Sequence, residues 1–300
     1  VTITEPRIYF GLQTNNNIVT NSNNRKEFDY PVSTTTTVQN AENVYAGKAG
    51  LQLGLLDRFI LGVKEGDLKL ALSANVNHDS KILTNRNILK RAKAIMPYLL
   101  YDNDPYMVVN EDGRLIWVLD AYTTSDNYPY SQKTLLQLDA INKLEFNYIR
   151  NSVKVLIDAY DGTINFYITD RNDPIASAYE KIYPDLFTTE EISTDISGQF
   201  VYPKFLYDIQ TLKMERYHNI QSDVLYRGND VWDVATHNTS RVSTKTGTDI
   251  EAYYTMVKTT DSDTSKLGLV IPFTPYGKQN ITSYMVGTYE NGKPKLTVYK

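Results

Sequence analysis

The apolar positions of this chain change period several times. Over residues 147–170 they alternate, and the alternation turns back on itself at Asp161-Gly162. Glycine there accepts a positive φ at little cost, as a two-residue type I′ hairpin requires. Folding at that point sets Ala159 against Ile164, Ile157 against Phe166 and Val155 against Ile168, all on one face. The other face would carry Asp158 with Asn165 and Lys154 with Thr169. A one-residue slip would turn the whole apolar set into water, so the faces are well specified.

Residues 105–120 repeat the device around Asp112-Gly113. Glu111 then opposes Arg114, Val109 opposes Ile116, Val108 opposes Trp117, Met107 opposes Val118 and Tyr106 opposes Leu119. Both faces are apolar, which predicts cover on both sides and makes this the more buried hairpin. The returning segments LDAYT and IDAYDG are alike, by duplication or by coincidence. A third two-residue turn is expected at Asn291-Gly292, and Pro294 after it suits an edge strand.

Helical periodicity appears in four places. Residues 50–63 put Leu55, Leu56, Phe59, Ile60 and Val63 on one side. Residues 87–100 do the same with Ile88, Leu89, Ala92, Ile95, Met96 and Leu99, and Pro97 should end or kink that helix. Lys90, Arg91 and Lys93 fall off its stripe and read as a solvated face. Asp173-Pro174 supplies an N-cap and a first-turn proline, followed by a stripe of Ile175, Ala178, Tyr179 and Ile182. The fourth helix begins near Pro203, buries Phe205, Leu206, Ile209 and Leu212, and runs towards Tyr217.

The first 47 residues read as extended and polar. RIYFG and EFDYP are short strands, and residues 15–24 and 34–37 are loops. The last eighty residues return to strands, with a mobile loop expected over 239–249. Helices and strands cluster instead of alternating as βαβ units. The fold class is therefore mixed α+β, with largely antiparallel sheet built from hairpins and about four helices. The expected organisation is one domain over residues 1–300, with a subdivision available near 190–200.

Composition narrows the function classes. A chain of 300 residues buries roughly 75% of its unfolded surface without a staple. With no Cys, disulfides, thiolate nucleophiles and zinc-thiolate sites are excluded. Thirty-one basic against 35 acidic residues leave no phosphate-binding footprint, so nucleic acid is not an expected partner. The 24 tyrosines suit strands and also stacking surfaces. No apolar run reaches the roughly 18 residues of a membrane span. Val1 opens directly on strand-like sequence with no leader, the expectation for an excised or processed chain.

Catalytic motifs are missing. Gly47-Lys48-Ala49-Gly50 lacks P-loop spacing, and no Gly-x-Ser-x-Gly elbow is present. His78, His218 and His237 have no zinc-ligand spacing, and His218 suits a helix cap or a core position. Two acidic clusters flank the hairpins: Asp102 and Asp104 before the first, Asp170 and Asp173 after the second. Clustered carboxylates at bends are candidate calcium ligands; Asp-Pro pairs also cap helices and start turns. The loop AYTTSDNYPYS leaves a buried strand beside Arg150. Its tyrosines, with Arg150, make Tyr122, Tyr128, Tyr130 and Arg150 a candidate ligand pocket with aromatic walls and one cation. No catalytic residue is assigned.

Several long blocks carry a family resemblance: EFDYP, SKILTNRNILKRAKAIMPYLLYDNDPYMVV, GRLIWVLDAYTTSDNYPYS, NYIRNSVKVLIDAYDGTINFYITD, YPDLF, YPKFLYDIQ, DVWDV and IPFTPYGKQN. In this order they resemble the uncharacterised protein family 0182, large bacterial membrane proteins. Val201 departs from the basic residue that the resemblance places before the Tyr-Pro of YPKFLYDIQ. The resemblance implies membrane-spanning helices upstream, a large extracytoplasmic region of which this chain is the first part, and further chain beyond Lys300. It brings no activity and no site residues. The expected function is an extracytoplasmic module binding a ligand, an envelope polymer or a partner, including its own transmembrane region or another membrane protein. The alternatives are a hydrolase of envelope polymer working through paired carboxylates, and a structural or assembly module. The only cofactor considered is calcium.

Overall fold

A computed structural model describes residues 2–300 apart from 24–25, 34–37, 53, 65, 67–68, 70–71, 74, 138–142, 238–247, 259–263 and 291. The expected loops at 34–37 and, for the most part, 239–249 lie outside the described residues, as does Asn291. The chain divides into two compact units, residues 1–189 and 190–300.

The first unit opens with β1 (Ile18–Thr20), β2 (Glu27–Ser33), β3 (Val38–Asn43), β4 (Leu51–Gln52), α1 (Leu55–Lys64), β5 (Lys81–Leu83) and α2 (Ile88–Ile95). There follow β6 (Leu100–Tyr101), β7 (Tyr106–Val109), β8 (Leu115–Ser125), β9 (Thr134–Gln137), β10 (Lys143–Phe146), β11 (Tyr148–Asp158), β12 (Ile164–Ile168) and α3 (Pro174–Ile182). The strands pair antiparallel throughout. The main sheet runs β12-β11-β8-β6, with β7 also on β8, and a smaller sheet runs β1-β5-β4. The mixed α+β fold expected from the sequence is therefore the fold observed, with six helices among the described residues, four of them longer than seven residues.

The two hairpins interlock: β8 pairs with β11, so the long strand of each forms the centre of one sheet. One face of it bears Leu119, Ala121, Val153, Val155 and Ile157, packed under Ile88, Ala92 and Met96 of α2 and its end. Neither hairpin register is the one expected. In the first, Val109 pairs with Leu115 and Val108 with Ile116, one residue away. Its loop has three residues, closed by Asn110 N–H to Arg114 O, with Gly113 at φ +76°. In the second, Ile157 pairs with Ile164 and Val155 with Phe166, a shift of two. The Asp158 side chain accepts the Tyr160 and Asp161 amides, folding a four-residue loop. A shift of two leaves each side chain on its expected face.

The burial ranking of the hairpins does not hold. Residues 152–157 of β11 are all buried, and the Lys154 side chain, expected on a polar face, is fully buried against Asp120. Two helical stripes are also rotated. Leu55, Leu56, Phe59, Ile60 and Val63 of α1 are all exposed. In α3 it is Ala176 that is buried, while Ala178 and Ile182 face outward. Residues 15–24, expected as a loop, contain β1, with Thr20 buried. Arg91 packs over the Phe10 ring instead of joining a solvated face. As expected, α2 ends before Pro97, and Ile88 and Ala92 of the helix and Met96 and Leu99 after it are buried; Ile95, expected on the same stripe, is exposed.

The second unit holds α4 (Thr194–Ser197), α5 (Lys204–Tyr217), α6 (Ser222–Arg227), β13 (Trp232–Val234), β14 (Thr236–His237), β15 (Thr248–Asp249), β16 (Tyr253–Val257), β17 (Lys266–Pro275), β18 (Ser283–Glu290) and β19 (Lys293–Tyr299). Its sheet runs β13-β17-β18-β19, with β16 also on β17. Glu290 pairs with Lys293, the register expected, while Asn291 of the turn lies outside the described residues; Pro294 lies on an edge strand. Tyr202, Tyr207, Trp232, Leu269, Phe273 and Met285 form the core. In α5 the buried side is Leu206, Tyr207, Ile209 and Thr211, and Leu212 is half exposed. His218 follows this helix, bonds to the Met214 carbonyl and stacks on Trp232, a structural role.

Candidate functional site

The eight residues singled out in the sequence fall on both faces of the main sheet. Tyr122 and Thr123 are neighbours on β8, so their side chains point to opposite faces. On one face, Tyr122 is fully buried, and its hydroxyl donates to Asp102 Oδ2 at 2.7 Å. Asp102 Oδ1 accepts the Asp104 amide at 3.0 Å. Burial raises the Asp102 pKa, against the lowering by those hydrogen bonds. On the other face, Asp173 caps α3 through the Ile175 amide at 3.0 Å and accepts the hydroxyls of Tyr148, at 2.8 Å, and Thr123. Burial pushes its pKa up, but the donors outweigh burial and leave it below the usual carboxylate range.

Arg150 Nη2 meets Asp170 Oδ2 at 2.6 Å, and Nη1 donates to the Asn172 carbonyl. Tyr128 stacks on Tyr148 with ring centroids 5.4 Å apart. The structure thus brings Tyr128, Arg150, Asp170 and Asp173 together through Tyr148, and places Tyr122, Asp102 and Asp104 elsewhere. Tyr130 stands fully exposed at φ +61°. Its loop is fastened by Asn147, whose side chain bonds to the Tyr128 amide and to the Tyr128 and Ser131 carbonyls. Among the described residues no group of three or more acids or histidines is disposed to hold a metal ion.

Two concavities lie on the first unit, around β1. One, of about 700 Å³, is lined by Arg7, Tyr9, Glu27, Tyr30, Asn43 and Arg86 among others. The second, of about 720 Å³, is lined by Asn15, Asn16, Asn17, Asn85, Asn87 and Lys90 among others. Both include Ile18, Val19 and Arg86, so they lie side by side about β1 and are treated together as the groove. Its polar groups are held in place. Arg86 donates to the Tyr9 carbonyl at 2.8 Å and to the Asn16 carbonyl at 3.1 Å, and burial lowers its pKa. Arg7 is clamped between Asp29 and Glu5. The Tyr9 hydroxyl donates to Glu27 Oε2 and accepts from Asn43 Nδ2 at 2.9 Å. Burial, then Glu27, drives the Tyr9 pKa far up, so this phenol stays protonated.

Such a groove offers amide and guanidinium donors, carboxylate acceptors and aromatic faces in one trough. Phe28 and Tyr30, which alternate with Glu27 and Asp29 along β2, stand exposed at the groove rim, at 64% and 56%. Sequence reasoning missed it, having read residues 15–24 as a loop and EFDYP only as a strand. A signal existed in EFDYP, where Glu27 and Asp29 alternate with Phe28 and Tyr30. In the fold the acids are half-buried and the aromatics exposed, the reverse of a core-facing strand.

The model of the Uncharacterised protein family (UPF0182) matches residues 1–300. The chain belongs to this family. UPF0182 proteins of Caldicellulosiruptor saccharolyticus and Clostridium acetobutylicum are 39% and 40% identical to it over 299 and 300 residues, each match covering 99% of this chain and 31% of the relative. One from Clostridium botulinum is 40% identical over 303 residues, covering the whole chain and 32% of the relative. The chain thus spans about a third of the length of the UPF0182 relatives it matches. No solved structure matches it. Among the described residues no helix is long and apolar enough to cross a membrane.

Proposed function

We propose that this UPF0182 chain is a non-catalytic binding module that takes an envelope glycan along the groove at β1, on the extracytoplasmic side of a membrane protein. The observation that carries the reading is the adjoining of two cavities around Ile18, Val19 and Arg86, amides lining one and aromatic rings the other. A sugar ring has apolar C–H faces and a polar edge. It matches aromatic side chains that offer a broad apolar face, set beside a few fixed donors and acceptors. Two such concavities side by side suit a polymer over a single ring.

Co-sedimentation with purified insoluble envelope glycan tests this. The chain should pellet with the polymer, and the double variant Tyr30→Ala, Asn16→Ala should stay in the supernatant. Equal pelleting of the two proteins, or none of either, would reject the groove. Exposure of this region to protease added outside intact cells checks the location.

A hydrolase reading draws on Glu27 and Asp29, which both line the first cavity. Each already has a partner, Tyr9 for Glu27 and Arg7 for Asp29. Release of soluble fragments from the glycan by the wild type, abolished in Glu27→Gln, would support catalysis over binding.

A further inference from the structure

The helix α1 presents its apolar stripe outward. Leu55, Leu56, Phe59, Ile60 and Val63 are 78%, 72%, 58%, 55% and 58% exposed. Its opposite side is the attached one. Leu61 packs against the Val76 and Ile82 cluster, Gly62 is buried, and Arg58 Nη1 donates to the Val76 carbonyl at 2.9 Å. The orientation is therefore set, and it is the reverse of an amphipathic surface helix, whose apolar stripe faces the core. Contiguous apolar surface of this kind marks an interface.

We infer that the outer face of α1 docks against an apolar surface in a part of the longer polypeptide outside these 300 residues. Two observations select that occupant. Relatives about 40% identical are some three times as long, and they align across α1, so proteins of this family have chain available to cover it. The second is size. A ten-residue helix is only about 15 Å long. Its five-residue stripe is a small part of the roughly 20–30 residues a side that a stable bimolecular interface uses. Within one polypeptide, a high effective concentration lets a small patch hold. The stripe itself carries no charge, so the surface that meets it is apolar.

The chain contains no Cys, which makes single-cysteine labelling clean. Phe59→Cys and a control, His78→Cys, whose side chain is 91% exposed, are each placed in this chain and in a cysteine-free polypeptide of the relatives' full length. Maleimide should modify Phe59→Cys at least tenfold more slowly in the long polypeptide than in the short one, and His78→Cys equally in both. Val63→Cys repeats the reading at an independent position. Equal rates for the stripe positions in both proteins would overturn the inference. So would protection already present in the short chain together with a dimeric mass, which assigns the face to a second copy. Protection of the long polypeptide that appears only with phosphatidylcholine–phosphatidylglycerol vesicles would overturn it too, in favour of a lipid surface.

Discussion

Lys154 and Asp120 form an ion pair across the two central strands of the main sheet, with Lys154 wholly shut off from solvent and Asp120 nearly so. Removing one partner strands a buried charge, whereas removing both leaves an apolar site. Lys154→Met should cost about 3–5 kcal/mol of stability, and the double variant Lys154→Met, Asp120→Leu should recover most of that loss. Urea unfolding of the three proteins checks it; a double variant no more stable than the single one would contradict it.

The two site aspartates should give opposite pH signatures. The folded pKa of Asp102 is raised, by burial first. Its contribution to stability is thus fullest below the unfolded carboxylate pKa of about 3.9 and is lost as pH rises through the folded value. Asp102→Asn should therefore gain on the wild type as pH rises above about 4. The folded pKa of Asp173 is lowered, so its contribution is present above about pH 3.9 and lost as pH falls through the folded value. Asp173→Asn should lose ground to the wild type as pH rises from strongly acidic values to about 4. Unfolding midpoints across these ranges decide both signs.

Gly113 sits at φ +76°, and a Cβ there would lie 2.3 Å from the Thr2 carbonyl oxygen. The left-handed backbone alone costs a non-glycine residue about 1–2 kcal/mol, and the clash adds to it. Gly113→Ala should destabilise by about 2 kcal/mol or more, read from thermal unfolding.

Tyr30 is exposed at the rim of the groove. Tyr30→Ala should leave the melting temperature within about 1 °C, since surface substitutions rarely move stability by more than about 0.5 kcal/mol. It should weaken glycan binding about tenfold, the loss of roughly 1.4 kcal/mol of contact.

Much of the fold is legible in the sequence because it rests on local devices. Alternation assigns the faces of β8 and β11, Pro97 stops α2, and Asp173-Pro174 starts α3. The registers were not legible. Asp-Gly is compatible with loops of two, three or four residues, and the choice fell to Asn110 and Asp158, whose side chains bind loop amides. The burial of Lys154 was hidden because its partner Asp120 is 34 residues away. Periodicity locates α1 but cannot say which side is covered. The acidic and tyrosine clusters at the hairpin ends were legible as clusters, and the fold divides them between two faces. The groove was not legible, because it joins the N-terminal segment to β1, β2, β3 and the turn before α2, which only the tertiary fold brings together.

Chemical-shift mapping on the isotope-labelled chain, titrated with soluble fragments of envelope glycan, tests the groove most directly. The perturbed amides and side-chain groups should cluster at Asn16, Tyr30, Asn43, Asn85 and Arg86. Perturbations confined to the Tyr128–Tyr130 loop, or none at saturating fragment, would contradict it.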